Sequence, residues 1–416
     1  MMQRSIHARL VHLALLFVVA VALVGLFPSS ASAIPAFSRR YDVACSTCHY
    51  PAPPRLNAYG HKFRRAQFRL PDEFNKDADW KNLKNYVSFR IRGRYEYDSN
   101  EGANSITSGF KLNDATFFYA GPVSKHFSGF AELERPGDSP EVEAVVSIGG
   151  IRGKPDAFWT FRLGQFHTLS RVGFGGLDRP TGISTPNALS RALVSGPPGE
   201  TANSFKLNQD QVGLEGTYVR KNWRIIGQIL NGSDLLSAGT VDRADESRAK
   251  DVVLAYEMMW GERASGFTAF VYDGEQNDPG LPLTTAPNVL SMKRYGVTGA
   301  HVFKGGFEVQ GGYVKGTDDY DVPYGGADSV DGKGYWLEAE QYFSKMKDLT
   351  IFGRYDSTDP NDDVNDNSRT QLTVGLVFPV ADWHLRWALE LRSIAQESTA
   401  GDLKDKVAVG ELMLNF

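Results

Sequence analysis

Hydrophobic and polar side chains alternate along most of the chain beyond residue 85. Between Val87 and Tyr97, odd-numbered positions carry apolar residues, aromatic residues or glycine, and even-numbered positions carry serine, arginine and glutamate. A period of two residues is that of a β-strand whose two faces meet different surroundings. The pattern predicts sixteen strands, near residues 86–97, 109–121, 127–135, 141–149, 158–166, 208–219, 223–231, 250–259, 266–273, 292–303, 307–315, 334–343, 349–356, 370–378, 383–392 and 406–416.

The connections between these strands alternate between short and long. Tight turns are predicted at 124–126, 220–222, 304–306 and 379–382, and longer polar loops at 232–249, 274–291, 316–333 and 357–369. Short periplasmic turns, long external loops and an even strand number are typical of bacterial outer-membrane barrels. A water-soluble sandwich alternates as well, and the spacing of the connections favours the barrel. We therefore predict an all-β antiparallel outer-membrane barrel over residues 86–416, in contact with membrane lipid.

The strand ends and the composition agree with a barrel. The chain ends on an aromatic residue, Phe416, as many such barrels do, and its mean hydropathy of −0.31 is too low for a hydropathy scan to indicate a membrane protein. Aromatic residues at strand ends would form the interface girdles of a barrel. Those predicted for this role are Trp159, Trp223, Trp260, Trp336, Tyr342 and Trp383.

The longest stretch without a predicted strand, 167–207, is the third of the external loops. Long loops without secondary structure are usually functional or disordered. In general porins the third loop folds into the lumen and narrows it. We expect an inward-folded constriction here, and an ordinary external flap is the alternative.

The N-terminus carries an export signal. Arg4 and Arg9 flank an apolar run from Leu10 to Phe27, and Ala31-Ser32-Ala33 forms a small-residue cleavage site. This predicts a cleaved signal peptide over residues 1–33 and a location in the outer membrane of a Gram-negative cell. A retained transmembrane anchor is the alternative, because the run is about long enough to span a bilayer.

The sequence Cys45-Ser46-Thr47-Cys48-His49 has the spacing that covalent attachment of haem c requires, and it contains the only two cysteines of the chain. Two thiols one turn apart add to the vinyl groups of the porphyrin, and the adjacent imidazole binds the iron. A thioredoxin-like site would need a buried helix after the motif, whereas a proline-rich stretch follows. A zinc site would need two further soft ligands nearby. The motif therefore predicts one haem c, held by Cys45 and Cys48, with His49 as the proximal ligand.

The motif and its neighbours resemble a known family, the fused mono-haem cytochrome–porins, over roughly residues 34–75. The resemblance is carried by Pro35-Ala36-Phe37-Ser38-Arg39, by Cys45-Ser46-Thr47-Cys48-His49, and by Pro54-x-Leu56-Asn57-x-x-Gly60-x-x-Phe63-Arg64. In that family a small haem segment is joined directly to a porin-like barrel. The sequence departs from the usual pattern in the prolines between Tyr50 and Pro54 and at His61, where another basic residue is commoner.

The resemblance implies an electron-transfer protein. It predicts a mono-haem segment over residues 34–85, mostly helical or irregular, that carries electrons between an extracellular donor, with Fe(II) favoured, and a periplasmic c-type cytochrome or other carrier. An Fe(II)-oxidising activity would follow, and no nucleic-acid partner is expected. One alternative is electron flow in the opposite direction, from the periplasm to an external acceptor. A second alternative is a solute porin with a structural or redox-gating haem, in which inward arginines at 90, 92 and 94 would favour anions.

The sequence alone does not identify the sixth ligand of the haem iron. No methionine lies between Ile34 and Asn85, so we expect no His/Met ligation from within the haem segment. His61 is the first candidate, and His384, which strand alternation directs into the lumen, is a weaker one. An open position, a water molecule or another ligand is the remaining alternative.

Basic residues dominate the haem segment between positions 39 and 69, where Asp42 is the only acidic one. They are Arg39, Arg40, Arg55, Lys62, Arg64, Arg65 and Arg69. Three kinds of partner would suit them, namely haem propionates, acidic residues of the lumen and an acidic periplasmic cytochrome. A solvated helix face is the alternative.

Overall fold

The computed structural model describes residues 36–50, 53–100, 105–137, 142–169, 181–194, 205–232, 250–277, 289–324, 327–380, 383–397 and 401–416. The predicted signal peptide lies outside these residues, as do parts of the predicted loops at 167–207, 232–249 and 274–291. Among the described residues, no helix combines the length and the apolar character needed to cross a bilayer.

Sixteen antiparallel strands form one closed barrel, in which each strand pairs with its neighbours in the chain and β1 pairs with β16. The strands are β1 (Val87–Asn100), β2 (Ser105–Pro122), β3 (Phe127–Pro136), β4 (Glu143–Lys154), β5 (Ala157–His167), β6 (Asp210–Arg220), β7 (Trp223–Leu230), β8 (Asp251–Trp260), β9 (Ser265–Asn277), β10 (Val289–Val302), β11 (Phe307–Tyr324), β12 (Ala327–Phe343), β13 (Leu349–Asp359), β14 (Arg369–Val380), β15 (Leu385–Gln396) and β16 (Leu403–Asn415). All sixteen predicted strands are confirmed.

The barrel closes where the last residues of the chain meet the first strand. The backbone N–H of Phe89 donates to the carbonyl of Phe416 at 2.6 Å, and the N–H of Phe416 donates back to Phe89 at 2.9 Å. The two rings stack with their centroids 5.6 Å apart. Closure leaves no open sheet edge, which a barrel in a membrane requires.

The two faces of the strands differ as the alternation predicts. In β1 the side chains of Phe89 and Ile91 are exposed on the outside, whereas Arg90 is buried on the lumen side. The same division holds around the barrel. On β5, for example, Trp159 points outward and is 62% exposed. An apolar exterior on a closed barrel of sixteen strands fits a Gram-negative outer membrane, where lipid covers the outward face.

Three expectations about the strands need correction. The predicted loop at 316–333 is largely strand, because β11 and β12 continue as a paired hairpin to Tyr324 and Ala327. Residues beyond the apolar band are polar on both faces, so the alternation disappears while the backbone pairing continues. Trp336 is 3% exposed and packs inside the barrel, and Trp383 lies at a φ of 71° before β15 and is also buried. Neither tryptophan belongs to a lipid-facing girdle.

The N-terminal segment (residues 36–85) is helical and irregular, as expected. It contains α1 (Ala36–Tyr41), α2 (Ala58–Arg65) and three 3₁₀ turns, at Cys45–Thr47, Pro71–Glu73 and Trp80–Asn85. Its backbone and side chains bind the short turns of the barrel. The N–H of Ala58 donates to the carbonyl of Glu262, and the Arg69 guanidinium donates to the carbonyl of Ser124. The segment therefore lies at the short-turn end.

The orientation of the barrel leads to a first prediction. A peptide tag inserted after Asp363, in the long β13–β14 connection, is expected to be labelled by antibody on intact cells. A tag inserted after Gly305, in the short β10–β11 turn, should be labelled only after permeabilisation. Both positions are solvent-exposed, so the contrast measures the side of the membrane. The topology would be overturned by labelling of the Gly305 tag on intact cells.

Candidate functional site

The five residues from Cys45 to His49 form a tight turn that brings the two thiols to one side of the N-terminal segment. Cys45 begins a 3₁₀ turn, and the backbone N–H groups of Cys48 and His49 both donate to the Cys45 carbonyl, at 3.1 and 3.0 Å. The two thiols are not joined in a disulfide. The local fold thus brings two thiols outside any disulfide and an imidazole together from five consecutive residues.

Helix α2 holds this turn in place through Asn57 and Gly60. The Asn57 side chain caps α2 by accepting the N–H of Gly60 at 3.0 Å, and its amide donates to the Thr47 carbonyl at 3.0 Å. A methyl group at Gly60 would lie 2.2 Å from the carbonyl oxygen of Cys48, so only glycine permits this approach. Both residues belong to the stretch that resembles the cytochrome module, and their contacts give that pattern a physical basis.

The imidazole of His49 is oriented by a hydrogen bond of its Nδ1 to the carbonyl of Arg55, 2.8 Å away. A carbonyl only accepts, so Nδ1 is the donor and carries the proton of the neutral ring. The lone pair is then on Nε2. Histidines that bind metals commonly donate their other ring N–H to a backbone carbonyl, which fixes the tautomer and the ring plane.

A cavity of about 180 Å³ separates the Cys45–His49 turn from the barrel wall. Both cysteines and His49 line it, and the opposite side is formed by the first residues of β1, the end of β16 and the turn before β15. The lining is Phe37, Ser38, Val43, Ala44, Cys45, Cys48, His49, Pro53, Pro54, Ser88, Phe89, Arg90, Phe118, Trp383, Met413 and Asn415. Most of these side chains are apolar, so the cavity suits a flat, largely apolar group.

The residues at this cavity fit a covalently attached haem. Two thiols outside any disulfide and an adjacent imidazole form the donor set that haem c needs. The volume is below the roughly 300–1,000 Å³ typical of ligand pockets, so a haem would enter only if lining side chains move apart. Burial first, and the neighbouring Cys45 second, raise the pKa of the Cys48 thiol to about 11. A thiol that stays protonated at neutral pH is a poor redox or metal-thiolate site.

Arg55 links the Cys45–His49 turn to the barrel wall. Its backbone carbonyl accepts from His49, while its guanidinium donates to Glu308 of β11 at 2.5 Å and to Glu340 of β12 at 2.7 Å. A third bond, of 3.1 Å, reaches the hydroxyl of Thr181. Burial alone would lower the pKa of Arg55, but the attraction of Glu308 and Glu340 outweighs it and raises that pKa. Arg55 therefore stays a cation in this buried cluster.

Other arginines of the segment are also engaged within the protein. Arg65 forms a buried ion pair with Glu257 of β8, which also binds Arg224 of β7. Arg40 pairs with Glu73 inside the segment at 2.6 Å. The expectation that acidic lumen residues attract this basic segment is thus confirmed for Arg55 and Arg65.

The described inner part of the third external loop (residues 181–194, here the inner loop) lies inside the barrel. Thr181 donates to Glu338 and bonds Glu340 at 2.6 Å, both on the lumen face of β12. The backbone N–H groups of Ile183 and Ser184 donate to Glu390 of β15, at 2.8 and 3.1 Å. The prediction of an inward-folded loop is confirmed for these residues.

The inner loop also fills part of the lumen with apolar side chains. A short helix, α3 (Asn187–Ser190), places Ala188 and Leu189 in a buried cluster with inward residues of β5 and of β7 to β12. Ile183 packs against buried residues of β13 to β16. A general porin has a polar, water-filled interior. This barrel instead has an apolar core across part of its cross-section.

The inward arginines of β1 are paired with carboxylates. Arg90 and Arg92 both bind Asp114 of β2, and Arg94 binds Glu411 of β16 at 2.7 Å. Their charges are therefore compensated inside the wall. This counts against the expectation that arginines 90, 92 and 94 would attract anions through the lumen.

The structure brings Cys45, Cys48 and His49 together but leaves His61 and His384 outside the cavity lining. His61 is buried, and by helical spacing it shares a face of α2 with Ala58 and Arg65, which contact the wall at β8 to β10. His384 lies between the lining residue Trp383 and the first residue of β15. Ligation by either histidine remains a prediction.

No separate metal site accompanies this motif in the described part of the chain, where no group of three or more His, Cys, Asp or Glu residues could hold a metal ion. Four aspartates in β11, in β13 and in the connection after β13 are engaged in ion pairs. Asp318 binds Arg294 of β10, Asp356 binds Arg354 of β13, and Lys333 binds both Asp359 and Asp362.

Several solved outer-membrane barrels have a fold similar to this chain. The anion-selective porin of Comamonas acidovorans superposes with a TM-score of 0.57 at 13% identity, covering 79% of this chain and 98% of that chain. OmpT of Vibrio cholerae, in its trimer form, gives a TM-score of 0.51 at 13% identity, covering 79% and 99%. The outer-membrane channel DcaP of Acinetobacter baumannii gives 0.51 at 11% identity, covering 79% and 96%.

At these identities the similarity establishes the fold, which is a porin-like outer-membrane barrel. No family model matches the chain, and no curated protein matches it. The N-terminal segment and its cavity must therefore be interpreted from their own residues.

Proposed function

We propose that this chain is an outer-membrane mono-haem cytochrome–porin that carries electrons between an extracellular donor, with Fe(II) favoured, and a periplasmic carrier. The observation that supports it most is the site formed by Cys45, Cys48 and His49. Two thiols that form no disulfide and an imidazole whose Nδ1 is bonded to the Arg55 carbonyl line one largely apolar cavity. The resemblance of residues 34–75 to the fused cytochrome–porins points the same way.

Each residue has a defined task in this proposal. Cys45 and Cys48 hold the haem through two thioether bonds, and His49 is the proximal ligand through Nε2. A covalently bound haem supplies one-electron redox chemistry at its iron. Arg55 positions His49 through its carbonyl and fastens the segment to β11 and β12 through its guanidinium.

The position of the cavity bears on how partners would reach it. It lies at the short-turn end, because the first residues of β1 and the last of β16 line it. A periplasmic carrier would dock at this end. The apolar band of such barrels is about 25 Å tall, so an external donor would have to enter the lumen from the side of the long loops.

The second candidate function is a solute porin with a structural or redox-gating haem. The similarity to porin barrels is compatible with it. The apolar cluster around the inner loop and the pairing of Arg90, Arg92 and Arg94 with carboxylates argue against a wide anion-selective pore. The same conduit run outward, to an external acceptor, is a further alternative that differs only in the direction of electron flow.

The decisive experiment uses the mature protein purified from outer membranes in detergent. We expect one haem per chain that survives denaturing electrophoresis, is reduced by Fe(II) without oxygen, and is reoxidised by an added periplasmic c-type cytochrome. In liposomes that enclose this cytochrome, external Fe(II) should reduce it only when the barrel is present. Absence of covalent haem would refute the proposal, and anion conductance in planar bilayers without electron transfer would favour the solute porin.

A further inference from the structure

The barrel wall that lines this cavity holds one residue suited to haem iron, and we propose that Met413 is its sixth ligand. This inference rests on the proposed function, because it concerns a haem attached at Cys45 and Cys48. Met413 lies on the lumen face of β16 and lines the same cavity as Cys45, Cys48 and His49. It belongs to the barrel and not to the N-terminal segment.

The chemistry of the lining leaves Met413 as the suitable donor. The remaining polar side chains of the cavity are those of Ser38, Ser88, Arg90 and Asn415. None of them is a usual ligand of haem iron in cytochromes c, whereas thioether sulfur is. Cys45 and Cys48 are used for attachment and His49 for the proximal position, so one soft donor remains.

The surroundings of Met413 differ from those of a methionine that only fills a core. It is 4% exposed, yet it belongs to none of the buried apolar clusters in the described part of the chain. Met259 and Met292 are buried to a similar degree and do belong to such clusters. Met413 differs from those two because it lines the cavity beside Cys45, Cys48 and His49.

The pairing register gives Met413 charged neighbours. Its partners on the adjacent strands are Arg92 of β1 and Arg386 of β15. Arg92 is engaged by Asp114, and Arg386 bonds Glu411 and the Gly182 carbonyl. A neutral thioether therefore lies between two cations that are turned to other partners. The Met413 thioether is therefore available to the cavity that it lines.

Ligation by Met413 has a consequence for the redox potential. A His/Met pair gives a higher potential than a pair of histidines. The expectation of ligation by His61 or His384 would give a lower value. The identity of the sixth ligand therefore affects which donors the protein can oxidise.

The test compares absorption and electron paramagnetic resonance spectra of ferric protein carrying covalent haem. Wild type should be low-spin and show the long-wavelength absorption band of methionine-ligated ferric haem. Met413→Leu keeps a similar volume, and it should lose that band, become high-spin and show a lower midpoint potential. Met413→His should restore a low-spin haem without the band. Met292→Leu is the matched control, since it alters a buried methionine away from the cavity.

The outcomes separate this inference from the proposed function. A low-spin spectrum that Met413→Leu leaves unchanged overturns the inference but keeps the haem, and His61→Ala and His384→Ala would then identify the ligand. A wild-type haem that is already high-spin also overturns it. Absence of covalent haem overturns the proposed function and this inference together. Haem staining and heat-modifiable migration of each variant show that it is attached and folded, and Met413→His provides a second variant if Met413→Leu does not fold.

Discussion

Replacing Cys45 and Cys48 together by alanine is expected to abolish covalent haem while the barrel remains folded. The thiols are the only two in the chain, so no other residue can form the thioether bonds. Neither cysteine lies in a strand, and the sixteen strands close through β1 and β16 without them. Haem staining of denaturing gels should fall to background, and migration of unheated protein should still differ from that of heated protein.

The matched control for this pair is Ser46→Ala, which alters the exposed residue between the two cysteines and spares the attachment chemistry. It should retain the stain. Each single cysteine variant should retain one thioether bond and a weaker stain. The assignment would be wrong if the double variant kept covalently bound haem.

Replacing Arg55 by methionine is expected to release the N-terminal segment from the barrel. Arg55 bonds Glu308 at 2.5 Å and Glu340 at 2.7 Å, and its guanidinium is nearly buried. Removing one partner of a buried ion pair costs about 3–5 kcal/mol, because the charge left behind is buried without compensation. Two carboxylates would face each other here, so docking should weaken by on the order of a hundredfold or more.

Limited chymotrypsin digestion of the purified protein would measure this release, because this protease cleaves after Tyr59, Phe63 and Phe68, and neither Arg55 nor Lys62 is one of its sites. Cleavage within residues 55–69 should be slow in wild type and fast in Arg55→Met, while the barrel resists in both. Lys62→Met removes an exposed cation from the same segment and should leave the rate unchanged. Arg55→Lys keeps the charge but loses the geometry of two parallel bonds, so an intermediate rate is expected. Equal rates in wild type and Arg55→Met would show that this cluster does not hold the segment.

The sequence predicted the strands well because lipid outside and a packed lumen inside impose a period of two on every strand. The prediction failed where the two faces of a strand no longer meet different surroundings. The β11–β12 hairpin extends past the membrane, where both faces are polar, and its residues were predicted as a loop. Trp336 and Trp383 were predicted at the interface because they lie near strand ends, but the inward register and a positive φ turn them into the barrel.

The Cys45–His49 motif could be recognised as a candidate for haem attachment because its residues are consecutive, and haem attachment itself stays a prediction. The barrel residues near that motif could not be predicted from the sequence. Arg55 meets Glu308 and Glu340 across 253 and 285 residues of sequence, and no local pattern encodes such a pairing. Met413 was missed because methionines were considered only within the N-terminal segment. Barrel closure is the signal that would have found it, since closure brings β16 beside β1, directly after that segment.

The long separation between Arg55 and its carboxylates sets an order of assembly. Chains are made from the N-terminus, so residues 36–85 exist long before β11 and β12 can accept them. Until those strands are in place, the Cys45–His49 turn has no wall against it and is open to an attaching enzyme. Once the hairpins close, the same turn faces the interior of the barrel. Under the proposed function, haem attachment would be expected before these strands enclose the turn, and a barrel that closed first would hold the motif without haem.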